Sequence, residues 1–231
     1  MSIWTRISEA VSALSAGEGF AAVFDRLFSP SPRQPERSVA FTIAVIALGA
    51  KMAKADGTVT RDEVSAFRQV FSIPAGEEAN AARVFNLARQ DVAGFDGYAR
   101  KIRAMFDKDS DILTDLMEGL FHIAVADGDW HPGEEDFLAE VARILRIEDQ
   151  GFRAMRARYV PDATPDPYDV LGLPGDASLD QARAAWKKAV RDGHPDQMIA
   201  RGVPPEAIKL AERRLIAINA AWNDIAARLD A

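Results

Sequence analysis

Gly193-His194-Pro195-Asp196-Gln197 lies between two helical patterns near the C-terminal end of this 231-residue chain. The pattern before it runs from Ser178 to Asp192, and the pattern after it starts near Pro205. Apolar residues recur every three or four positions in both, which is the spacing of helices that pack against each other. The sequence therefore predicts an antiparallel helical hairpin whose connection, from His194 to Pro204, projects into solvent. Alone, the His-Pro-Asp tripeptide is also typical of a simple turn, in which proline fixes φ and aspartate caps.

The first helix of the predicted hairpin carries a basic face beside its apolar face. Ser178 is placed to cap its N-terminus. The basic residues are Arg183, Lys187, Lys188 and Arg191. A charged stripe of this kind is usually no more than a solvated helix face, so by itself it indicates no partner.

Three further motifs accompany the tripeptide. They are Pro167-Tyr168-Asp169-Val170-Leu171-Gly172-Leu173, Ala185-Trp186-Lys187-Lys188 and Ile218-Asn219-Ala220-Ala221-Trp222. Together with His-Pro-Asp they resemble the J domain of the DnaJ family of co-chaperones, over residues 167–231. The longer string from His194 to Glu206 is similar to the DjlA type within that family.

The resemblance implies a partner and a role for each residue. J domains dock on a DnaK-type heat-shock chaperone and stimulate its ATP hydrolysis, so this chain is expected to activate a partner ATPase and not to be an enzyme. Asp196 is expected to pair with an arginine of the partner, Pro195 to set the shape of the connection and His194 to orient it. The basic residues expected to dock on an acidic surface of the chaperone are Arg183, Lys187, Lys188 and Arg191.

Two positions depart from the family pattern. Gln197 replaces the usual lysine, and Gly193 stands where an aromatic residue or histidine is common. We expect a weaker affinity and a looser connection, since glycine has the most backbone freedom.

Residues 36–160 are predicted to form a second helical domain, because apolar residues recur with helical period and no alternating strand pattern appears. Ala53-Lys54-Ala55-Asp56-Gly57-Thr58-Val59 with Glu63 matches Ala124-Val125-Ala126-Asp127-Gly128-Asp129-Trp130 with Glu134. This internal repeat predicts two related helix-loop-helix halves. The Ala-Asp-Gly turns resemble the TerB-like domain, which also occurs in DjlA-type co-chaperones. The whole chain is therefore expected to be all-α, with a TerB-like bundle followed by a J domain.

The acidic residues of the repeat raise the question of a metal site. The candidate ligands are Asp56, Glu63, Asp127 and Glu134. The Asp-Gly turn followed by a glutamate mimics the second half of an EF-hand loop, but the first half offers none of the required oxygen ligands. Helix capping explains the same residues, and we prefer it. No cofactor is expected, and a divalent cation in the TerB-like domain is the alternative.

Two proline-rich segments, residues 29–35 and 161–166, are predicted linkers. The first separates a predicted amphipathic helical segment, residues 1–28, from the TerB-like domain. That segment is interrupted too often to span a bilayer, and we favour its packing on the next domain over a weak interfacial anchor. The expected location is cytoplasmic, with a peripheral position on the inner membrane as the alternative.

Composition excludes some classes of function. Asp and Glu number 35 against 28 Lys and Arg, a formal charge of −7 that gives no general attraction to nucleic acid. There is no cysteine, and so neither a disulfide framework nor a thiolate metal site.

The sequence thus predicts a J-domain co-chaperone with the TerB-like domain as a targeting or regulatory module, which could also hold client proteins or a second copy of the chain. The alternative is a stress-related metal- or protein-binding scaffold that acts through the TerB-like domain. A His-Asp hydrolase ranks last, since the sequence shows neither an activated nucleophile nor an oxyanion motif.

Overall fold

The structure of the chain is a computed structural model. It describes residues 3–12, 34–55, 68, 70–73, 75–90, 94–106, 110–126, 128, 130–160 and 165–229. Regular structure in these ranges is helical throughout, which confirms the all-α prediction for the described part of the chain.

We call the described residues up to 160 the N-terminal module and residues 165–229 the C-terminal module. The helices of the N-terminal module are α1 (Ile3–Ser12), α2 (Gln34–Ala55), α3 (Glu78–Gln90), α4 (Phe95–Met105), α5 (Ser110–Ala124), α6 (Pro132–Leu145) and α7 (Asp149–Tyr159). Those of the C-terminal module are α8 (Pro167–Val170), α9 (Leu179–Asp192), α10 (Pro195–Arg201) and α11 (Ile208–Leu229), with a 3-10 turn at Pro205–Ala207.

The central element of the N-terminal module is α2. Its sequence from Val39 to Leu48 is apolar on all sides except at Thr42, and every residue in that stretch is buried. A helix of this kind needs neighbours on all sides, and α2 packs against α1, α3, α4, α5 and α6. No described helix combines the length and the apolar run that crossing a bilayer requires.

The first helix, α1, is amphipathic and packs on α2 and α3. Ile3, Trp4 and Ile7 are buried, and the indole of Trp4 meets the ring of Phe71 edge-on at 6.1 Å between centroids. The described part of the predicted segment 1–28 therefore belongs to the core of the N-terminal module. The rest of that segment lies outside the described residues.

Helical structure extends into two stretches that were predicted to connect helices: the first linker, and the connection of the hairpin, where α10 covers Pro195–Arg201. Helix α2 begins at Gln34, inside the stretch 29–35 predicted as linker. Pro35 is compatible with this, because proline is tolerated in the first turn of a helix, where its missing N–H has no partner to lose.

The C-terminal module is a hairpin of α9 and α11, in which α8 packs on α11 and α10 packs on both hairpin helices. Trp186 of α9 stacks on Trp222 of α11 with 5.2 Å between ring centroids and 16° between planes. The indole nitrogen of Trp186 also donates to Asn219 Oδ1 at 2.9 Å. Stacking and hydrogen bonding together fix the register of the two helices.

The two modules are in direct contact. Helices α10 and α11 pack on α5, and α8 packs on α7. The guanidinium of Arg158 donates to the carbonyl of Val170 at 3.1 Å. The side chain of Gln150 donates to the carbonyl of Gly172.

Candidate functional site

The His-Pro-Asp segment, residues 194–196, forms the N-terminus of α10. His194 is the N-cap residue, with φ −66° and ψ 139°, and its Nδ1 accepts a hydrogen bond from the backbone N–H of Asp196 at 3.2 Å. Pro195 takes the first helical position, where its fixed φ suits the helix. The Asp196 side chain is 85% exposed and that of His194 54%. The local fold therefore presents the carboxylate of Asp196 to solvent.

The basic face of α9 is exposed beside this segment. A capping box of Ser178 and Gln181 starts the helix, as the sequence predicts for Ser178. The side chains of Arg183, Lys187, Lys188 and Arg191 are all exposed. The guanidinium of Arg183 lies over the Trp222 ring, 5.8 Å from its centroid.

Asp192 pairs with part of this basic face, a relationship that the sequence analysis missed. Its carboxylate accepts from Lys188 Nζ at 2.8 Å and from Arg191 Nε at 3.3 Å. Burial raises the pKa of Asp192, but the hydrogen bond and charge of Lys188, with a smaller contribution from Arg191, hold it below its ordinary value. Arg183 and Lys187 lie outside this local pairing.

The second half of the connection between α9 and α11 is buried, which corrects the predicted exposure of the whole stretch from His194 to Pro204. Met198, Val203 and Pro204 are buried. Gly202 has φ 111°, and a β carbon there would lie 2.9 Å from Cβ of Arg37 in the N-terminal module. The prediction failed because the family-like hairpin was considered without the module that covers it.

A buried ionic cluster joins the two modules next to the connection. Arg201, the last residue of α10, donates from Nε and Nη2 to Asp115 Oδ2 at 3.1 and 2.9 Å. Arg214 of α11 donates to Asp115 Oδ1 at 2.6 Å and to Glu118 Oε2 at 2.5 Å. Asp115 and Glu118 lie one turn apart on α5, and their side chains are 1% and 0% exposed. Two carboxylates of one module thus hold two guanidiniums of the other.

Glu118 is paired on its other side as well. Its Oε1 accepts from Arg158 Nη2 at 2.6 Å, and its Oε2 accepts from the hydroxyl of Tyr159 at 3.1 Å. Burial raises the pKa of Glu118, but the guanidiniums of Arg214 and Arg158 outweigh it, so its pKa lies below the usual range. The carboxylate is therefore ionised at neutral pH, which a buried pairing with two cations requires.

Of the predicted metal ligands, the structure describes only Glu134. Its carboxylate accepts from the backbone N–H of His131 at 3.0 Å in the first turn of α6, which is the capping interaction preferred from the sequence. Asp56, Glu63 and Asp127 lie outside the described residues. Within the described ranges, no three His, Asp or Glu side chains are grouped so that they could hold a metal ion.

In the part of the chain that the structure describes, a helical N-terminal bundle carries a C-terminal hairpin with an exposed His-Pro-Asp segment. A family model described as tellurite resistance protein TerB matches residues 42–157, half of the chain. The chain therefore belongs to the TerB family.

Relatives that align with most of the chain carry the name co-chaperone protein DjlA. The chain is similar to the co-chaperone protein DjlA of Photobacterium profundum, with 26% identity over 82% of this chain and 78% of the relative. It is 28% identical to DjlA of Coxiella burnetii over 75% of this chain and 72% of the relative. For DjlA of Salmonella paratyphi A the identity is 24%, over 96% of this chain and 97% of the relative. The recognition of a DjlA-type co-chaperone from the sequence is thereby confirmed. No solved structure matches the chain.

Proposed function

We propose that this chain docks on a DnaK-type chaperone and stimulates its ATP hydrolysis, with the His-Pro-Asp segment as the stimulating element. The observation that carries the proposal is the exposure of Asp196 at the tip of a hairpin whose basic helix is also exposed. The names of the similar proteins support a co-chaperone role.

Docking and stimulation are assigned to different residues. Arg183 and Lys187 on α9 attract an acidic surface and orient the encounter, since exposed charges act over a Debye length of about 10 Å at moderate salt. Asp196 then offers its carboxylate to a cation of the partner, and this charge-assisted pair strengthens as water is excluded. His194 and Pro195 hold that carboxylate in place through the N-cap of α10. No covalent step takes place on this chain.

The N-terminal module is assigned to targeting and regulation. Its helices α1 to α7 leave the exposed faces of α9 and of the His-Pro-Asp segment uncovered. These surfaces are therefore free to engage the chaperone, and we assign to the N-terminal module the binding of a client or of a second copy of the chain.

The test is a single-turnover ATPase assay of a purified DnaK-type chaperone with increasing concentrations of the full chain. We expect the wild type to accelerate hydrolysis and His194→Gln to lose the acceleration. Gln197→Ala, an exposed change next to the motif, is the matched control and should behave as the wild type. Equal stimulation by His194→Gln and wild type would contradict the proposal.

A further inference from the structure

We propose that the N-terminal module fixes the position of the His-Pro-Asp segment through a salt bridge between Asp115 and Arg201, which makes both of them positioning residues for stimulation. The inference rests on the proposed function. It adds that the N-terminal module, and not only the hairpin, determines the geometry of the His-Pro-Asp segment.

Arg201 contacts both ends of the stretch that contains the segment. Its Nη1 and Nη2 each donate to the backbone carbonyl of Asp192 at 3.0 Å, at the end of α9. Arg201 is itself the last residue of α10, the helix that begins at Pro195. One guanidinium therefore joins the residue before Gly193 to the end of the helix that His194 caps. Its planar, fixed array of donors suits such bridging better than a lysine ammonium does.

The N-terminal module holds this guanidinium in place. Asp115 accepts two hydrogen bonds from Arg201, and Asp115 is in turn held by Arg214. The side chain of Arg201 is 14% exposed and that of Asp115 1%. A charge pair this far from solvent is screened little by salt. The backbone carbonyl of Arg201 also accepts from Arg37 Nε at 3.0 Å, so a second residue of the N-terminal module fixes the end of α10.

Asp192 links these contacts of Arg201 to the basic face of α9. Its carbonyl accepts from Arg201, while its carboxylate accepts from Lys188 and Arg191 of the basic face. The orientation of the His-Pro-Asp segment relative to the basic face is thus set at a residue that the N-terminal module restrains. Stimulation needs the basic face and the His-Pro-Asp segment to meet the partner in one fixed relative orientation. Holding groups in a productive orientation lowers the entropic cost of forming the active complex.

The test uses Arg201→Met in the full chain. Methionine keeps an unbranched side chain and a similar helix propensity, and Asp115 keeps Arg214 as its partner, so the buried carboxylate is not left alone. Arg201→Lys keeps the charge but loses the forked geometry. Arg228→Met removes one exposed charge from the far end of α11 and is the matched control.

Two measurements decide the question. Hydrogen exchange of the full chain reports the backbone of residues 193–203, and single-turnover ATPase reports stimulation of the DnaK-type chaperone. For Arg201→Met we expect faster exchange confined to residues 193–203 and a maximal stimulation lower by roughly threefold to tenfold. The concentration that gives half-maximal stimulation should change by less than about twofold, because the basic face is intact. Arg201→Lys should lie between Arg201→Met and the wild type, and Arg228→Met should match the wild type.

Each outcome separates this inference from the function on which it rests. Unchanged hydrogen exchange in Arg201→Met would show that Arg201 does not restrain the backbone of residues 193–203, whatever the ATPase assay shows. Faster exchange with wild-type stimulation overturns the positioning role and leaves the proposed function standing. If the wild type itself does not stimulate, both the proposed function and a role of Arg201 in it are wrong. The inference is supported if exchange becomes faster only in residues 193–203 and if maximal stimulation falls by the same factor at low and high salt.

Discussion

The side chain of Arg214 occupies the space that a β carbon at residue 193 would need. A methyl group built on Gly193 lies 2.9 Å from Arg214 Cδ and 2.9 Å from the carbonyl oxygen of Ala189. Arg214 cannot move aside freely, because Asp115 and Glu118 hold its guanidinium at 2.6 and 2.5 Å. The glycine that departs from the J-domain pattern is therefore explained by two neighbours together, the Arg214 side chain that the ionic cluster holds and the carbonyl of Ala189. Its φ is −84°, so steric room, not backbone conformation, requires glycine here.

Gly193→Ala should destabilise the chain by about 1–3 kcal/mol, the usual cost of forcing a methyl group into a filled space. Where space is free, the same substitution stabilises by about 0.4–1 kcal/mol through the unfolded state, so the sign of the effect is informative. Gly175→Ala is the control, because a β carbon at that position would have no other atom within 4 Å. Urea unfolding of both variants measures the difference. A stabilised Gly193→Ala would show that Arg214 does not fill this site.

The sequence predicted the helices and the hairpin but not the ionic cluster. Helix periods and the Ser178 cap are local signals, and α9 accordingly covers Leu179–Asp192 with Ser178 as its N-cap residue. The partners of Asp115 and Glu118 are 86 to 99 residues away in sequence, apart from those in α7, and no local pattern specifies such pairs.

A signal for the cluster is nevertheless present in retrospect. Asp115, Glu118 and His122 recur at spacings of three and four on α5, a helix whose other positions are largely apolar and buried. Arg214 stands three residues after Ala211 and four before Ile218, within the apolar seam of α11. Ionisable residues at core positions of two helices indicate that those helices pair with each other through charge, because a buried charge needs a partner.

His122 gives the fold a dependence on pH. It is fully buried on α5, neither ring nitrogen has a hydrogen-bond partner in the described structure, and its ring meets that of Tyr159 edge-on. Burial, and then the charges of Arg213 and Lys209 on α11, lower the pKa of His122 from 6.5 to about 4. As the pH falls, His122 therefore binds a proton near pH 6.5 in the unfolded chain, but only near pH 4 in the folded chain. Stability must fall as the pH drops through this window.

From this shift we expect the titration of His122 to lower the free energy of unfolding of the wild type by about 2 kcal/mol as the pH falls from 7 to 5. His122→Leu removes the titrating group and keeps an apolar side chain in place. The measurement is urea unfolding of both proteins at the two pH values, and the quantity of interest is the difference between their pH dependences. Parallel curves would mean that the pKa of His122 is the same in the folded and unfolded chain, as for an imidazole exposed to solvent.

Trp4 tests whether α1 is part of the N-terminal module. Its side chain is fully buried against Phe71, and its indole nitrogen faces the carbonyl of Ser72 at 3.5 Å. Trp4→Ala should cost about 3–5 kcal/mol, as is typical of a large aromatic residue removed from a core. Arg6→Ala, on the exposed side of the same helix, should be close to neutral. Calorimetric unfolding compares the two variants, and a neutral Trp4→Ala would favour an interfacial anchor over a packed helix.

Substitutions in the basic face and in the His-Pro-Asp segment should change different parameters of stimulation. Replacing Arg183, Lys187 and Arg191 with alanine removes the charges that steer encounter but keeps the helix propensity high. We expect the concentration for half-maximal stimulation to rise by about tenfold at low salt and its salt dependence to flatten, because screening no longer acts on these charges. The stability cost should be small, about 0.5–1 kcal/mol from the loss of Arg183 over the Trp222 ring.

Asp196→Asn should show the opposite pattern. It leaves the basic face unchanged, so the variant should still bind with a salt-dependent affinity, but its maximal stimulation should be lost because an amide cannot form the ionic pair with a partner arginine. The measurement is ATPase rate against concentration of each variant at two salt levels, together with direct binding by calorimetry. Wild-type concentration dependence of the triple variant at both salt levels would show that the stripe is only a solvated helix face. Full stimulation by Asp196→Asn would remove the carboxylate from the mechanism.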